Sequence, residues 1–452
     1  MPQIQPIVVR RRGKGEAQPE SFTFTSEMVP PSSSSLVSAY RQSAWKAFKD
    51  LPTPTLKEEA WRRTDLKNLQ LASFKVPVQN SYLDLPPVPT ELLKPLTAEA
   101  HGGQILLLPG GHEVYLNDEI SREGVIFTNL DSAVTQYPQL IEKVLGKIIR
   151  PEEGKFAALT GAMAQDGIFL YIPRNVVVRQ PLHSLVWGPG VGMAHFSHVL
   201  VYLENGSSAT YVHESASPSE SGGQTLHSGI VELYVGPGAN LRFIELQSWG
   251  EHVWNISHER ARVDRGGNLD WIFGAVGSHL TKNFTDLELA GEGSTGKMSG
   301  FYFADKNQHL DHDTQQNHLA PHTTSDLLFK GALLGESRSV WQGMIYVAPG
   351  AQKTDGYQAN RNLVLSEKAR ADSIPGLEIL ADDVSCSHGA TVGKIDQTLV
   401  FYLLSRGIPQ LEAERLIVEG FFEPIMERIP YSGVRQRFRD AIHKKMESFT
   451  HL

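Results

Sequence analysis

The sequence predicts a mainly β protein, a solenoid of stacked coils with a helical region at each end. Residues 167–393 form a succession of short runs rich in β-branched and aromatic residues, the composition expected of strands. The turn glycines Gly206, Gly238, Gly267 and Gly293 follow one another at intervals of about 32, 29 and 26 residues, a near-period typical of stacked repeats. Because no helical pattern separates these runs, a doubly wound α/β sheet is excluded.

The same succession of strands and turns also fits a β-sandwich or a chain of hairpins, and periodicity does not separate these folds. The length of the tract, about 225 residues, favours the solenoid. At about 30 residues per coil it gives about seven or eight coils, a column about 35 Å long at about 4.8 Å per coil. The last coil of an open solenoid presents an unpaired strand, so we expect an interface beside Cys386.

The flanking regions give a three-part organisation: a partly disordered and then mainly helical part with short strands (1–165), the solenoid (166–395) and a C-terminal helical domain (396–452). The serine tract before the first helix supplies its N-cap. The helices predicted in the N-terminal part are Ser35–Asp50, Leu56–Asn68, Leu130–Gln136, Gln139–Leu145 and Glu152–Met163. The short strands predicted there are Gln104–Leu108, Glu113–Leu116 and Gly124–Thr128.

The C-terminal part begins at Asp396, a favourable N-cap for a helix over Thr398–Leu404 that Gly407 ends. Pro409 starts a longer helix, and a last helix spans about Ser432–Phe449. The apolar stripe predicted on the longer helix consists of Leu416, Ile417, Phe421, Ile425 and Met426. Such a stripe usually packs on its own domain. The more specific alternative is that it forms a docking surface for a partner protein.

Charge and composition exclude several classes of function. The net charge is −8, and no basic stripe is present, which argues against a nucleic-acid-binding protein. The basic cluster Arg10–Arg12 with Lys14 lies in the first 30 residues, which are predicted to be poorly ordered. No secretory signal is expected, and the longest apolar runs are too short to span a membrane. A single cysteine forbids an internal disulfide, so we expect a cytoplasmic protein.

The stretch Ala381–Asp396 contains that cysteine, Cys386, two residues before His388. Residues two apart on a strand point to the same face, so the thiol and the imidazole are expected to project together, which suits a metal or a persulfide. A lone cysteine is most often a small buried core residue, but the neighbouring Ser385 and Ser387 make this setting polar. A nucleophilic Cys–His pair also requires an oxyanion hole and an orienting group, and the sequence identifies neither.

Residues Gly291–Met298 resemble a phosphate-binding loop. In that motif a serine or threonine follows the lysine and a helix begins there, whereas Met298 occupies that place and a strand follows. The stretch is therefore interpreted as a turn.

The densest set of candidate metal ligands lies between residues 309 and 322. Its members are His309, Asp311, His312, Asp313, His318 and His322. Imidazoles and carboxylates suit zinc or iron, and a free-standing metal-dependent enzyme on a β-solenoid is the alternative function. The favoured interpretation is a row of hydrogen-bonded histidines along successive coils. A carbohydrate-active solenoid is a further alternative, although such proteins are usually secreted.

Three stretches resemble the SufB/SufD family, the scaffold subunits of the SUF machinery for iron–sulfur cluster assembly. The first, Tyr357–Ser366, reads Tyr-Gln-Ala-Asn-Arg-Asn-Leu-Val-Leu-Ser. The second, Pro375–Asp396, contains Cys-Ser-His-Gly-Ala-Thr, and the third, Phe401–Ile408, reads Phe-Tyr-Leu-Leu-Ser-Arg-Gly-Ile. Within the family, the central string is similar to the SufD branch. The SufB branch has a cluster-assembly cysteine in the stretch corresponding to Asn360–Leu363, where this sequence has none.

The resemblance implies a right-handed parallel β-helix that pairs with a SufB subunit through its last strands and binds a SufC ATPase through its C-terminal helices. It implies that His388, with Cys386 beside it, lies where the nascent cluster forms, so these two residues are the candidate ligands of transient iron. The chain is then a scaffold without turnover of its own and without a tightly bound cofactor. A flavin in the assembled complex and a homodimer of the isolated chain are left open.

Overall fold

The computed structural model describes residues 21–93, 101–429 and 432–449. The basic cluster at residues 10–14 lies outside these ranges. Of the predicted poorly ordered start, the structure describes residues 21–30. There Phe24 is buried and packs edge-on against Phe196, with ring centroids 5.9 Å apart.

The described ranges contain strands throughout the central tract and helices mainly at its two ends. The strands are β1 (Gly103–Leu108), β2 (Gly111–Leu116), β3 (Ile126–Asn129), β4 (Asp166–Ile172), β5 (Leu182–Trp187), β6 (Ala194–Leu203), β7 (Ser208–Ala216), β8 (Thr225–Val235), β9 (Asn240–Ser248), β10 (Val253–Val263), β11 (Asn268–Ala275), β12 (Leu280–Leu289), β13 (Thr295–Ala304), β14 (His309–His318), β15 (Thr324–Leu333), β16 (Arg338–Val347), β17 (Asp355–Val364), β18 (Arg370–Ile379) and β19 (Ser385–Gly393). The α-helices are α1 (Ser35–Asp50), α2 (Thr90–Leu93), α3 (Asp118–Arg122), α4 (Leu130–Gln136), α5 (Pro138–Val144), α6 (Lys155–Met163), α7 (Gln397–Ser405), α8 (Gln410–Met426) and α9 (Ser432–Phe449). The short 3₁₀ helices are Ser26–Met28, Glu59–Trp61, Leu71–Ser73, Ser81–Asp84 and Pro151–Glu153.

The strands form two sheets that face each other. The first sheet has the order β19-β17-β15-β13-β11-β9-β7-β5-β1-β2, and the second has the order β18-β16-β14-β12-β10-β8-β6-β4-β3. From β4 to β19, a segment that is described throughout, each coil gives one strand to each sheet, which makes eight coils. Each strand pairs in parallel with the strand of the next coil, whereas a sandwich or a chain of hairpins is built from antiparallel pairs. The predicted solenoid is confirmed, and its handedness stays a prediction.

The space between the two sheets, here called the lumen, is filled by inward-facing side chains at alternate strand positions. Tyr211, Phe243, Trp271 and Met298 occupy the same register on β7, β9, β11 and β13, so large side chains stack along the axis. The ring centroids of Phe243 and Trp271 are 5.6 Å apart, and both side chains are buried. This apolar column is the main core of the molecule.

The predicted short strands of the N-terminal part exist, and they close the first end of the solenoid. Strand β1 pairs in parallel with β5, and β2 then pairs antiparallel with β1. Strand β3 pairs antiparallel with β4 in the second sheet. The helices α1, α4, α5 and α6 agree with the prediction, and Ser34 Oγ accepts a hydrogen bond from the Val37 amide as the N-cap of α1.

The prediction of a helix over Leu56–Asn68 is wrong, because the structure has only the 3₁₀ turn Glu59–Trp61 in that segment. The segment instead follows the outer face of the second sheet. Trp61 is buried against Phe156 and Phe284, with ring centroids 5.9 and 5.7 Å away. These long-range contacts outweigh the local helical pattern, which is a weak constraint on its own.

Helices α8 and α9 cover the outer face of the first sheet. Asp396 is the N-cap of α7, as predicted, and its carboxylate accepts a hydrogen bond of 2.8 Å from the Thr398 amide. The predicted stripe of α8 is only partly correct, because Leu416 is exposed. The buried residues of α8 are Ala413, Val418, Phe422, Ile425 and Met426, and the last four belong to the cluster that packs on the sheet. The buried face is therefore rotated from the predicted one, and the contacts with the sheet decide it.

Two carboxyl groups are buried in the middle of the lumen. Glu245 of β9 and Glu259 of β10 are hydrogen-bonded to each other, and Ser257 and Thr285 donate hydrogen bonds of 2.5 and 2.9 Å to Glu259. Burial, and then the neighbouring Glu259, raise the pKa of Glu245 well above its ordinary value of 4.5. Burial also raises the pKa of Glu259. In the folded chain these carboxyl groups therefore remain protonated at pH values at which the same groups of the unfolded chain have lost their protons.

This pair predicts that the stability of the fold decreases as the pH rises above about 4.5, because the unfolded state then binds fewer protons than the folded state. The variant Glu245→Gln removes one of the two groups, and we expect it to be about 1–3 kcal/mol more stable than the wild type at pH 8 and little changed at pH 5. Urea denaturation over this pH range measures the difference. The exposed Glu292→Gln is the control, and equal pH dependence of Glu245→Gln and wild type would contradict the prediction.

Candidate functional site

The last coil of the solenoid, formed by β18 and β19, has a neighbour on one side only. Strand β18 pairs with β16, and β19 pairs with β17. No strand among the described residues covers the other edge of either one. The backbone amide and carbonyl groups along these edges are available for pairing. We call this region the open end.

Cys386 and His388 occupy the inward face of β19. They lie in register with Gly356 and Gln358 of β17, two buried residues whose positions face the lumen. Both side chains therefore point to the interior of the last coil. Cys386 is half-buried and His388 is exposed. The structure thus places the two predicted site residues on one face at the open end, and their role as ligands stays a prediction.

Cys386 is accommodated by the absence of a side chain at Gly356. A Cβ atom added there would lie 3.2 Å from Cys386 Sγ, closer than is normal for such a contact. The thiol also packs beside Ile345 and Val347. Burial, together with the charge of Asp355, raises the pKa of the thiol above its ordinary value of 9.0, so the protonated thiol predominates at neutral pH. A metal that binds Cys386 must displace this proton.

Three amide side chains form the floor of the open end. Gln358, Asn360 and Asn362 occupy alternate inward positions of β17, and all three are buried. Two of the corresponding positions of β15, one coil earlier, hold the apolar residues Leu327 and Phe329, and the third holds Gly331. Sequence reasoning missed this change from apolar to polar. It is visible only when the repeats are aligned in register and the inward positions are compared.

Apolar side chains surround the open end. Four large apolar side chains have more than a third of their surface exposed to solvent, which is unusual for residues at the ends of two paired strands. They are Leu377, Ile379, Leu380 and Val392. Exposed apolar groups beside unpaired strand edges are typical of a protein–protein interface.

The histidines between residues 309 and 322 do not gather at one point. Strand alternation directs His312 and His318 into the lumen and His309 to the outer face, while His322 lies in the turn after β14. Burial lowers the pKa of His312 to about 3 and that of His318 to about 4, so both imidazoles are neutral at pH 7. In the part of the chain that the structure describes, no three His, Cys, Asp or Glu side chains are grouped to hold a metal ion.

The hydrogen bonds of these histidines agree in part with the favoured interpretation. His309 Nε2 lies 2.8 Å from Thr64 Oγ1, and His318 contacts the hydroxyl oxygens of Thr323 and Ser325 at 2.8 Å. His312 differs, because its Nε2 has no hydrogen-bond partner among the described residues and its ring stacks on Tyr302 at 5.3 Å.

The acidic members of this set belong to a buried ion cluster on the outer face of the second sheet. Lys282 Nζ lies 3.0 Å from Asp311 Oδ1 and 3.8 Å from Asp313 Oδ2, and the side chains of Lys282 and Asp311 are fully buried. Thr64, in the N-terminal segment that follows the sheet, donates a hydrogen bond to Asp311. The cluster therefore fixes that segment to the solenoid.

The stretch Gly291–Met298 is a turn, as predicted. Gly293 has φ +71°, a left-handed conformation that favours glycine, and β13 begins at Thr295 without an intervening helix. The geometry of a phosphate-binding loop is therefore not present at this position.

Comparison with known proteins agrees with this architecture. A family model described as "SUF system FeS cluster assembly, SufBD core domain" matches residues 187–421, more than half of the chain. The chain belongs to the SufBD family. A second model, described as "SufBD protein N-terminal region", matches residues 19–183. The SufBD chain therefore has a role in iron–sulfur cluster assembly.

Curated relatives of this SufBD chain carry the same family name. "Iron-sulfur cluster assembly SufBD family protein" of Staphylococcus epidermidis is 32% identical over 318 residues, which are 70% of this chain and 68% of the relative. Relatives from Staphylococcus haemolyticus and Staphylococcus aureus are 31% identical over the same shares of both chains. Within its described ranges, the SufBD chain has no helix that is both long and apolar enough to cross a membrane.

The buried ion cluster predicts a large difference between two lysine substitutions in the SufBD chain. Lys282→Met leaves Asp311 buried without its cation, and we expect a loss of about 3–5 kcal/mol in the free energy of unfolding. Lys297→Met removes an ion pair with Asp326 whose two side chains are 45% and 46% exposed, and we expect a change within about 1 kcal/mol. Urea denaturation measures both. Similar losses in the two variants would contradict the prediction.

The raised pKa of Cys386 predicts slow alkylation of the SufBD chain at neutral pH, because the thiolate is the reactive form. We expect iodoacetamide to modify the folded chain more slowly than the denatured chain at pH 7. The rate should still be increasing near pH 9, where alkylation of the denatured chain levels off. Mass spectrometry of timed samples measures both rates. A rate that is already constant above pH 8 would show that the pKa is lowered instead.

Proposed function

We propose that this chain is the SufD-type scaffold subunit of the SUF machinery, working in the cytoplasm without turnover of its own and helping iron acquisition and nascent cluster formation. The observation that carries the proposal is the open end, whose inward face presents Cys386 and His388 side by side. A thiol and an imidazole are both competent ligands of iron.

The SufD assignment rests on the residues of β17 and β19. The string Cys-Ser-His-Gly-Ala-Thr, from Cys386 to Thr391, resembles the SufD branch. In the stretch where the SufB branch has its cluster-assembly cysteine, this chain has the buried amides Asn360 and Asn362. These amides are hydrogen-bonded within the floor and offer no thiolate, so Asn360 and Asn362 do not take the part of that SufB cysteine, which is proposed to come from the partner chain.

The partner at the open end is proposed to be a SufB-type subunit. The open end has two unpaired strand edges and a set of exposed apolar side chains, Leu377, Ile379, Leu380 and Val392. A partner that covers it must therefore supply strands that pair with these edges and an apolar surface. A subunit with the same solenoid supplies both. When that subunit is absent, a second copy of this chain is the natural substitute, so a homodimer of the isolated chain fits the same surface.

Iron or a nascent cluster is cargo in this proposal, and this chain gives it at most two ligands. Cys386 and His388 fit the donor types that iron–sulfur clusters accept, but a cluster bound through four protein ligands needs donors from the partner as well. Such a shared site exists only while the two solenoids are joined. The chain alone is therefore proposed to hold no tightly bound cofactor, and a flavin in the assembled complex remains part of the hypothesis.

A SufC-type ATPase is proposed to bind at α7. Helix α7, which is described over its whole length, buries only Val400, whereas Leu399, Phe401 and Tyr402 are 50%, 71% and 54% exposed. The neighbouring α8 and α9 are fixed to the first sheet instead. Arg437 of α9, for example, donates a hydrogen bond of 2.5 Å to the buried Glu214 of β7. Motion of a partner bound at α7 is thereby coupled to the solenoid.

The proposal predicts the outcome of an anaerobic affinity purification of wild type and His388→Ala. We expect SufB-like and SufC-like chains to copurify with both, because His388 adds little to the apolar contact area. Iron and acid-labile sulfide should fall at least about fivefold in the variant, because a ligand is lost. Mass spectrometry, an iron assay and a sulfide assay measure these outcomes.

The matched control is His322→Asn, which changes an exposed histidine with φ +58° to a residue that tolerates this conformation. It should retain partners, iron and sulfide. A chain that purifies alone with its own stoichiometric metal would overturn the scaffold assignment. Unchanged iron in His388→Ala would remove His388 from cluster formation.

A further inference from the structure

A pocket of about 340 Å³ lies on the outer face of the second sheet, where the N-terminal part of the chain packs on β10, β12 and β14. Its walls are contributed by residues 51–61 and 149–156. Its floor consists of outward-facing side chains that stand in two rows across the three strands. The first row is His258, Phe284 and Asp313, and the second row is Arg260, Asp286 and Gln315. The volume is within the range of about 300–1,000 Å³ that is usual for small-molecule sites.

The two basic side chains of the pocket already have partners. Arg260 is paired with Glu153, at 2.6 Å, and with Asp286, at 2.5 Å. Lys155 is directed to the end of α1, where its Nζ donates hydrogen bonds of 2.5 and 2.8 Å to two carbonyl oxygens. Neither cation is therefore available to balance the remaining carboxylates of the pocket.

Three carboxylates of the pocket remain. Glu58 and Glu152, at the exposed rim, form no ion pair with a described residue. Asp313, in the floor, shares its cation with Asp311, because Lys282 Nζ lies 3.0 Å from Asp311 Oδ1 and 3.8 Å from Asp313 Oδ2. Burial raises the pKa of Asp313 to about 6, although the charge of Lys282 opposes this shift. An additional positive charge beside Asp313 is therefore favoured.

His258 gives an independent indication of a ligand. Its side chain is only 8% exposed, yet it makes no hydrogen bond with a described residue. The imidazole stacks on Phe284, with ring centroids 4.8 Å apart, and its Nε2 lies 3.2 Å from the place that a Cβ atom on Gly154 would occupy. The tip of the ring thus meets the pocket wall where Gly154 has no side chain. Burial lowers the pKa of His258 to about 3, so the ring is neutral at pH 7 and one of its nitrogens can accept a hydrogen bond.

Aromatic rings separate these two polar groups. Phe284 stands between His258 and Asp313 in the row, and Trp61 packs against Phe284 and Phe156, with ring centroids 5.7 and 5.9 Å away. Such rings attract ammonium groups and pack well against methylene chains. A metal ion suits the pocket less well, because no three His, Cys, Asp or Glu side chains of the described ranges are grouped to hold one.

We propose that this pocket binds a linear aliphatic diamine that lies along the row from Asp313 to His258. One ammonium group pairs with the Asp313 carboxylate, and the methylene chain passes beside Phe284. The second ammonium group donates a hydrogen bond to His258 and lies close to the rim carboxylate of Glu152. Strands β10 and β14 are two strand spacings apart, about 9–10 Å, which suits a ligand with a cation at each end of a short chain.

This site is separate from the open end and goes beyond the proposed function. Because the ligand contacts both the N-terminal part and the solenoid, its binding stabilises the packing of one on the other.

Isothermal titration calorimetry of the full-length chain with putrescine, a diamine with four methylene groups, tests the proposal. We expect saturable binding of one putrescine per chain. Butylamine should bind about tenfold weaker, because one charged contact is lost, and the corresponding diol, which has the same length without the charges, should not bind. Absence of saturable putrescine binding at millimolar concentrations, or equal binding of putrescine and the diol, would overturn the proposal. Equal binding of putrescine and butylamine would overturn the assignment of a diamine.

Variants locate the site. Asp313→Asn and His258→Phe, which retains a ring to stack on Phe284, should each weaken putrescine binding about tenfold. The matched control is Asp326→Asn, which changes an exposed aspartate of β15 on the first sheet and should leave the affinity unchanged. Equal weakening in Asp326→Asn and Asp313→Asn would show general attraction to an acidic protein and would contradict a specific site.

If either floor variant does not fold, Glu152→Gln replaces it, because Glu152 is exposed at the rim. We expect Glu152→Gln to weaken putrescine binding about threefold and to leave butylamine binding unchanged, since only the second ammonium group is affected. An unchanged putrescine affinity in Glu152→Gln would remove the second ammonium group from this rim. None of these measurements requires iron or a partner chain, so their outcome is independent of the proposed function.

Discussion

Every strand of a parallel solenoid depends on hydrogen bonds to a strand on each side, and this requirement organises the whole chain. At the first end, the N-terminal part adds the short strands β1 and β2 beside β5 and β3 beside β4, so the first coil has a neighbour in both sheets. Along the middle, each coil serves as the neighbour of the next, and the large lumen side chains stack in the same register. At the open end the requirement is not met within the described chain, and the proposed partner subunit is therefore placed there.

Other parts of the chain cover the two outer faces of the solenoid, whereas the open end is left uncovered within the described residues. The N-terminal helices and the segment around Trp61 cover the second sheet, and the C-terminal helices α8 and α9 cover the first. Buried polar contacts, such as Thr64 with Asp311 and Arg437 with Glu214, fix these covers in place. The open end and α7 are two regions of the described chain in which several apolar groups remain exposed close together.

The sequence predicts the solenoid well because glycine turns and strand composition recur once per coil, and helix caps such as Asp396 act locally. It fails where a long-range contact decides. The pattern over Leu56–Asn68 suits a helix, but the burial of Trp61 on the second sheet prevents one. Gln358 and His388 lie at register positions of neighbouring strands although they are 30 positions apart, and neither motif nor spacing shows this until the register of β17 and β19 is known.

The open end also determines which coil of the solenoid unfolds locally at the lowest free energy. In a repeat array, stability is a sum of terms between neighbouring coils, so a coil with one neighbour opens at a lower free energy than a coil with two. We therefore expect the amide hydrogens of β18 and β19 to exchange faster than those of internal strands such as β10 and β12. Cys386 and His388 lie on the coil that frays first, and a bound partner changes that strand from the least protected of the array to an internal one.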